Sequence, residues 1–244
     1  MNSLLSGSVV ILTGATGGIG RSIAEMLVSA GARVAITDLS AVAVEQLASD
    51  LDVFGTASDA SSWDGFASFC ANVEEELGPI DGVVNCAGLW APAPYEEVDE
   101  EAWSATLDAN LKTAFVSCRT VLPRMVARGS GSVVNFASTA GEYGSIRPAA
   151  HYAAAKGGVI AMTKSLAREV SPAGVRVNAV SPGPTDTPAL LAATAEQRAI
   201  AGARTLFGRL GQPTEIAGAC VFLLSPLSTF VTGTVLQVNG GSLL

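Results

Sequence analysis

The sequence predicts an α/β fold, a doubly wound and mostly parallel sheet in a single domain. Short apolar, β-branched runs recur along the 244 residues, and most are followed by a stretch of helical length. The runs are close to continuously apolar rather than alternating, as strands covered by helices on both faces should be. The first run opens directly onto a glycine-rich loop and a helix.

In chain order, the expected strands are Val9-Val10-Ile11-Leu12, Val34-Ala35-Ile36-Thr37, Val53 to Ala57, Gly82-Val83-Val84-Asn85, Ser132-Val133-Val134-Asn135, Val175-Arg176-Val177-Asn178 and Thr234 to Val238. The expected helices are Ile19 to Ala30, Ala41 to Leu51, Trp63 to Leu77, Glu100 to Ala127, Tyr152 to Val170 and Thr214 to Leu224. Pro213 stands where a helix starts well, because its missing N–H is not needed there. Alternation of strand and helix implies right-handed crossovers. No charge run or Pro-rich linker splits the chain. The least regular stretch, Pro182 to Gly211, is expected to act as a flap over a site, with residues 184–210 as its mobile part.

Composition narrows the function. Lys plus Arg is 14 and Asp plus Glu is 22, a net charge of −8, with no basic run. A nucleic-acid binder needs clustered cations against phosphate, so that class is set aside. The single histidine excludes a multi-His metal site. No stretch approaches the roughly 18 apolar residues of a spanning helix, and Met1 to Ser8 has no secretory-leader layout, so no membrane association is expected. Cys70, Cys86, Cys118 and Cys220 make no CxxC pair or zinc spacing and read as buried, reduced thiols of a cytoplasmic protein.

Thr13-Gly14-Ala15-Thr16-Gly17-Gly18-Ile19-Gly20 lies between the first strand and the first helix. Glycines there let the backbone turn sharply and let a pyrophosphate approach the free N–H groups of the helix start. GxxxxGK[ST] occurs nowhere, which argues against a nucleoside triphosphatase. Asp38 ends the second strand, 24 residues after Gly14, where a carboxylate accepts hydrogen bonds from an adenosine ribose. The competing reading of Asp38 is a helix N-cap. Such a carboxylate repels a 2′-phosphate, and neither Thr16 nor the following Leu39 and Ser40 offers a cation. NAD is therefore expected over NADP.

Tyr152 and Lys156 are four residues apart on one helix face. A phenol is a poor acid–base at pH 7. Lowering its pKa by two to three units takes roughly 3–4 kcal/mol, which an adjacent ammonium and an oxidised nicotinamide can supply. His151 invites a hydrolase reading, but no GxSxG elbow exists. It reads as a loop residue or a wall of the substrate pocket.

The glycine loop, Asn85-Cys86-Ala87-Gly88, Asn110, Ser138, Tyr152-Ala153-Ala154-Ala155-Lys156, Pro182-Gly183 and the terminal Val238-Asn239-Gly240-Gly241 together resemble the short-chain dehydrogenase/reductase family. These motifs cover essentially the whole chain in the family's order. The resemblance implies a Rossmann-type domain with a seven-stranded parallel sheet, an NAD(P) cofactor and a homotetramer. Its implied roles are Tyr152 as acid–base, Lys156 as the group that lowers the tyrosine pKa and holds the nicotinamide ribose, Ser138 as the donor to the substrate oxygen, and Asn110 as the holder of a relay water. The cofactor positions are Gly14, Thr16, Gly17, Gly18, Ile19, Gly20, Asp38 and Leu39, then Ser58, Asp59 and Ala60 near the adenine, and Asn85, Ala87 and Gly88. Pro182, Gly183, Thr185 and Thr187 complete them at the nicotinamide amide. Cys86 stands where the family usually has Asn, and Ser138 precedes Tyr152 by 14 residues, one more than in many members.

The substrate pocket is expected to be apolar, with Trp90, Tyr143, Ile146, His151, Leu190 and Leu191 on its walls and Leu206 and Phe207 in the flap. Arg147 is the one cation nearby. Within the family the chain looks similar to 3-oxoacyl-acyl-carrier-protein reductases. Ala173, where those tend to keep an Arg, and the net charge of −8 argue against an acidic carrier. Asp38 also argues against it, since biosynthetic reductases mostly use NADPH. The sequence therefore points to an NAD-linked secondary alcohol dehydrogenase or ketone reductase. A relative that binds the dinucleotide without catalysis, as a redox sensor, is the alternative from another class.

Overall fold

Every strand of the sheet runs the same way. A computed structural model describes residues 3–188 and 194–242. Within them lie β1 (Val9–Thr13), β2 (Arg33–Thr37), β3 (Phe54–Gly55), β4 (Ile80–Asn85), β5 (Gly131–Phe136), β6 (Val175–Pro182) and β7 (Val235–Val238). They form one seven-stranded sheet in the order β3-β2-β1-β4-β5-β6-β7, all neighbours parallel. The helices are α1 (Gly18–Ser29), α2 (Ala41–Leu51), α3 (Trp63–Leu77), α4 (Glu100–Leu107), α5 (Thr113–Arg128), α6 (Thr139–Tyr143), α7 (Ala150–Val170), α8 (Ala195–Ala203) and α9 (Pro213–Leu224).

The near-continuous apolar runs have a direct structural cause. Successive strand residues point to opposite faces, and both faces are covered. Val10, Leu12, Ile36, Val84 and Val134 pack with Ile23, Leu27, Ile216 and Leu223 of α1 and α9 on one side. Val9, Ile11, Ala35, Val83 and Val133 pack with Phe66, Val116, Val121 and Met125 of α3 and α5 on the other. The chain turns one way from β1 to β2 and the other way to reach β4. A crevice therefore opens above the carboxyl ends of β1 and β4, where open α/β sheets bind ligands.

Four expectations change. The third strand is only Phe54–Gly55, an edge pair opposite Ala35 and Ile36, not Val53 to Ala57. The single helix expected from Glu100 to Ala127 is interrupted by a π-turn at Asp108–Lys112. The described residues of the stretch from Pro182 to Gly211 are more regular than expected. They contain α8, opened by a capping box in which Thr194 and Gln197 serve each other's backbone N–H. Finally, α7 begins at Ala150, so His151 is helical and buried rather than a loop residue. Among the described residues no helix is long and apolar enough to cross a membrane. The four cysteines are free; Cys70, Cys118 and Cys220 are buried, while Cys86 is half-buried.

Candidate active site

The glycine loop packs against the loop after β4. Gly14 has φ +66°, and a Cβ there would lie 2.6 Å from the Ala87 Cα. Thr13 Oγ1 accepts from the Ala87 N–H at 3.2 Å and fixes the same contact. Gly20 sits against the Gly14 carbonyl with no room for a side chain, whereas a Cβ on Gly17 would make only an ordinary contact with that carbonyl, at 3.6 Å. Gly17 caps α1 without any side-chain hydrogen bond, whereas Ser40, Ser62 and Asp99 accept from the first turns of α2, α3 and α4. The first N–H groups of α1 thus face the crevice without an internal acceptor, which suits a diphosphate. Ile19 follows within the same first turn and packs on the core.

Asp38 lies beside this loop at the end of β2. Its carboxylate accepts from the Thr16 N–H at 3.0 Å, the Thr16 hydroxyl at 2.5 Å and the Leu39 N–H at 2.8 Å. Ser40, not Asp38, caps α2, which removes the N-cap reading of Asp38. Leu39 is exposed next to it. Ser58 donates its N–H to the Asp38 carbonyl, and its buried hydroxyl has no partner among the described residues. Asp59 is exposed and accepts from Ser61, while Ala60 is buried. An orphaned hydroxyl, a carboxylate and an exposed leucine beside an uncapped helix start fit the adenosine half of a dinucleotide.

At the other end of the crevice four polar side chains converge. Lys156 is buried, and its Nζ donates to the Phe136 carbonyl at 2.8 Å, leaving two N–H groups. It lies 5.8 Å from the centre of the Tyr152 ring. Ser138 ends the loop after β5 and caps α6, its Oγ accepting from Ala140 N–H. Burial pushes the Tyr152 phenol up, and a hydrogen bond with Ser138 opposes this. Burial likewise pulls Lys156 down, to about 8. In the protein alone burial therefore dominates the tyrosine, and the lowering that opposes it comes from Ser138 rather than from the expected lysine.

Asn110 sits in the π-turn, buried. Its Nδ2 donates to Leu89 O at 2.9 Å and Thr106 O at 3.0 Å, and its Oδ1 accepts from Leu89 N–H. Both amide protons are thus engaged by protein carbonyls. Gly88 passes so close that a Cβ would be 2.7 Å from Asn110 Oδ1 and 3.4 Å from Lys156 Nζ. Asn85 is buried, its Nδ2 donating to Asn135 and its Oδ1 without a partner among the described residues.

The segment after β6 closes this end. Gly183 lies against Asn239, where a Cβ would meet the Asn239 Cα at 2.7 Å. Thr185 donates to the Gly183 carbonyl at 2.9 Å, and Pro182 pairs with Val238. Thr187 and Pro188 lie over Gly18, with a Cβ on Gly18 falling 3.2 Å from Thr187 Cβ. Among the expected pocket walls, Trp90 meets the Tyr152 ring edge-on at 4.7 Å. Tyr143, Ile146 and Arg147 are exposed, and Leu190 and Leu191 lie outside the described residues. Leu206 and Phe207 are exposed beside Gly240 and Gly241 of the chain's end. Two site-building residues escaped the sequence reading. Gly141 lets α6 pack on the Lys156 backbone, and Glu142 accepts from Ser181 and Gln237 at 2.5 Å each. The one available signal was the helix-start pattern after Ser138.

The family model described as enoyl-(acyl carrier protein) reductase matches residues 14–242. The 3-oxoacyl-(acyl-carrier-protein) reductase FabG of Vibrio cholerae is 39% identical over 97% of this chain and 98% of its own. The cis-4-hydroxycyclohexanecarboxylate dehydrogenase of Sinomonas cyclohexanicum is 36% identical over 99% of this chain and 98% of its own. A crystal structure of a glucose/ribitol-type short-chain dehydrogenase/reductase from Brucella melitensis superposes with a TM-score of 0.93 at 36% identity, each chain covered completely. With these relatives and this sheet, the chain belongs to the short-chain dehydrogenase/reductase family, oxidoreductases that bind a nicotinamide dinucleotide.

Proposed function

We propose that the chain is an NAD-dependent oxidoreductase that interconverts a secondary alcohol and a ketone, with Tyr152 as acid–base. One observation carries this reading: Ser138, Tyr152 and Lys156 converge at the carboxyl edge of the sheet, one crevice away from the uncapped start of α1.

The chain's own residues divide the work. The N–H groups of Gly17 to Ile19 hold the diphosphate, and Asp38, Leu39 and Ser58 to Ala60 take the adenosine. Asn85, Ala87 and Gly88 line the passage between the two halves. Lys156 keeps two N–H donors for the nicotinamide ribose, and Pro182, Gly183, Thr185 and Thr187 bound the amide. The bound nicotinamide supplies the hydride acceptor or donor and, when oxidised, a positive charge. In the oxidising direction Tyr152 Oη, as phenolate, takes the hydroxyl proton while Ser138 Oγ holds the substrate oxygen. That proton returns to solvent past Lys156 and a water on the Asn110 carbonyl, in the π-turn where the regular helical ladder is broken. Ketone reduction reverses each step. Positioning and fixed electrostatics are the protein's share. Thr187 and Pro188 lie against Gly18 at the start of α1, which supports a substrate flap about residues 184–210, and exposed Trp103 and Phe115 on α4 and α5 are the faces expected to pack in a homotetramer.

NAD is favoured over NADP because the Asp38 carboxylate beside the glycine loop would repel a 2′-phosphate and neither Leu39 nor Ser40 after it is a cation. A second reading, reduction of a 3-oxoacyl thioester, is favoured by the name of the Vibrio cholerae relative. A spectrophotometric screen decides. NAD and NADP are run against secondary alcohols, hydroxy acids, sugars and steroids, and NADH and NADPH against ketones and acetoacetyl-CoA. Turnover of simple alcohols with NAD is the expected result. NADPH-linked turnover confined to acetoacetyl-CoA establishes the second reading, and dinucleotide binding with no turnover of any substrate leaves a redox sensor.

A further inference from the structure

We infer that His151, the chain's only histidine, is a positioning residue for substrate. It pins the loop after β4 so that Trp90 stands as a fixed wall against the Tyr152 ring. The inference rests on the reading of Tyr152 as the acid–base.

His151 lies in the first turn of α7 and is 3% exposed. Its Nε2 is 2.9 Å from the Ala91 carbonyl. A carbonyl only accepts, so Nε2 carries the proton of that bond. Nδ1 is buried and has no partner among the described residues, where the side chain's one polar contact is with the loop. From Cys86 to Pro94 this loop has no regular secondary structure, and a free loop of that kind would wander. It is tied at two places that bracket Trp90. Asn110 clamps Leu89 through both its N–H and its carbonyl, and His151 holds Ala91. Residue 90 is left little backbone freedom, and its ring meets Tyr152 at 4.7 Å and 82°.

Trp90 remains 41% exposed in that pose. A substrate that offers its oxygen to Tyr152 Oη therefore brings one substituent of the reacting carbon alongside an immobile indole. Such a wall favours a flat or cyclic apolar substituent, which stacks on it, over a small one, which does not reach it. Specificity for a bulky substituent thus depends on His151 even though His151 touches no substrate.

The test separates this role from plain folding. Trp63→Phe/Trp103→Phe makes Trp90 the only indole, and acrylamide quenching of its emission reads the loop directly, with no turnover needed. His151→Leu keeps the bulk and removes the donor; His151→Gln places an amide N–H at about the reach of Nε2. Quenching is expected to rise at least twofold in the Leu variant and stay at the parent value in the Gln variant, since only the donor differs. In ketone reduction with NADH, KM for acetophenone is expected to rise about tenfold in the Leu variant, the size of one lost hydrogen bond. KM for propan-2-one, kcat and NADH affinity stay near parent values. Unchanged quenching in His151→Leu overturns the inference by itself. So does a loss shared equally by both ketones, kcat and NADH affinity that His151→Gln fails to rescue. Full turnover in Tyr152→Phe would instead overturn the acid–base reading, and the quenching result distinguishes the two failures.

Discussion

Burial acts on Tyr152 and Lys156 in opposite senses and drives both toward the neutral form. The reaction needs the reverse, a phenolate beside an ammonium, so a further positive charge has to arrive before the pair is ready. This couples acid–base strength to dinucleotide occupancy. Tyr152→Phe is accordingly expected to leave NAD binding intact, as read by NADH fluorescence, while turnover falls at least about 10²-fold, the low end for a lost acid–base. A Phe variant turning over at the parental rate would remove Tyr152 from the mechanism. Lys156 also makes a stability prediction. Its folded pKa of about 8 lies below the ordinary 10.5, so the unfolded chain binds the proton more tightly. The protein without dinucleotide carries the full penalty below pH 8 and regains stability as pH rises from 8 to 10.5. The gain is about 3 kcal/mol, relative to Lys156→Met, whose profile lacks this step. Denaturant melts of both proteins at pH 7, 8, 9 and 10 measure it; a pH-independent difference between the two would mean that Lys156 is solvated.

Elements differ in how far their sequences announced them. Strands β1, β4, β5 and β6 were legible because both their faces are buried, which leaves a continuous apolar run. β3 was overextended because an edge strand needs only two paired residues and its neighbours Val53 and Ala57 are apolar for other reasons. The π-turn left no trace, since the residues around Asn110 suit a regular helix and the break is enforced by side-chain bonds to Leu89. His151 was misplaced for a similar reason: only its tertiary partner, Ala91, explains why a histidine is buried there. The glycine loop was the most legible element of the site, and Gly14 bears its sharpest steric demand. Gly14→Ala meets both a left-handed φ and the Ala87 backbone. It is expected to separate the loops after β1 and β4, lowering NADH affinity at least about tenfold and costing about 1–3 kcal/mol of stability. Fluorescence titration and thermal melts read the two effects; a variant binding NADH normally would show that the loops need not touch.

At the scale of the molecule, two packed layers sandwich one sheet, and each cysteine reports on a particular layer. Cys70 on α3 and Cys118 on α5 belong to one face, and Cys220 on α9 to the other. Cys86 follows β4 at the dinucleotide crevice and packs at the margin of the α1 and α9 face. Burial holds Cys70, Cys86 and Cys118 up at about 12 and Cys220 well above its ordinary value, so none is a thiolate near neutrality. Because the thiolate is the reacting species, labelling requires a layer to open first. Ellman's reagent at pH 7.5 is expected to find almost no fast thiol in the native protein and all four in denaturant. The half-buried Cys86 should label first, and added NAD should slow it while leaving the other three unaffected. This pattern would separate opening of the crevice from opening of the layers. If Cys70, Cys118 or Cys220 reacted first instead, the weakest boundary in the molecule would lie between a helical layer and the sheet rather than at the crevice, and NAD would no longer control the fastest thiol.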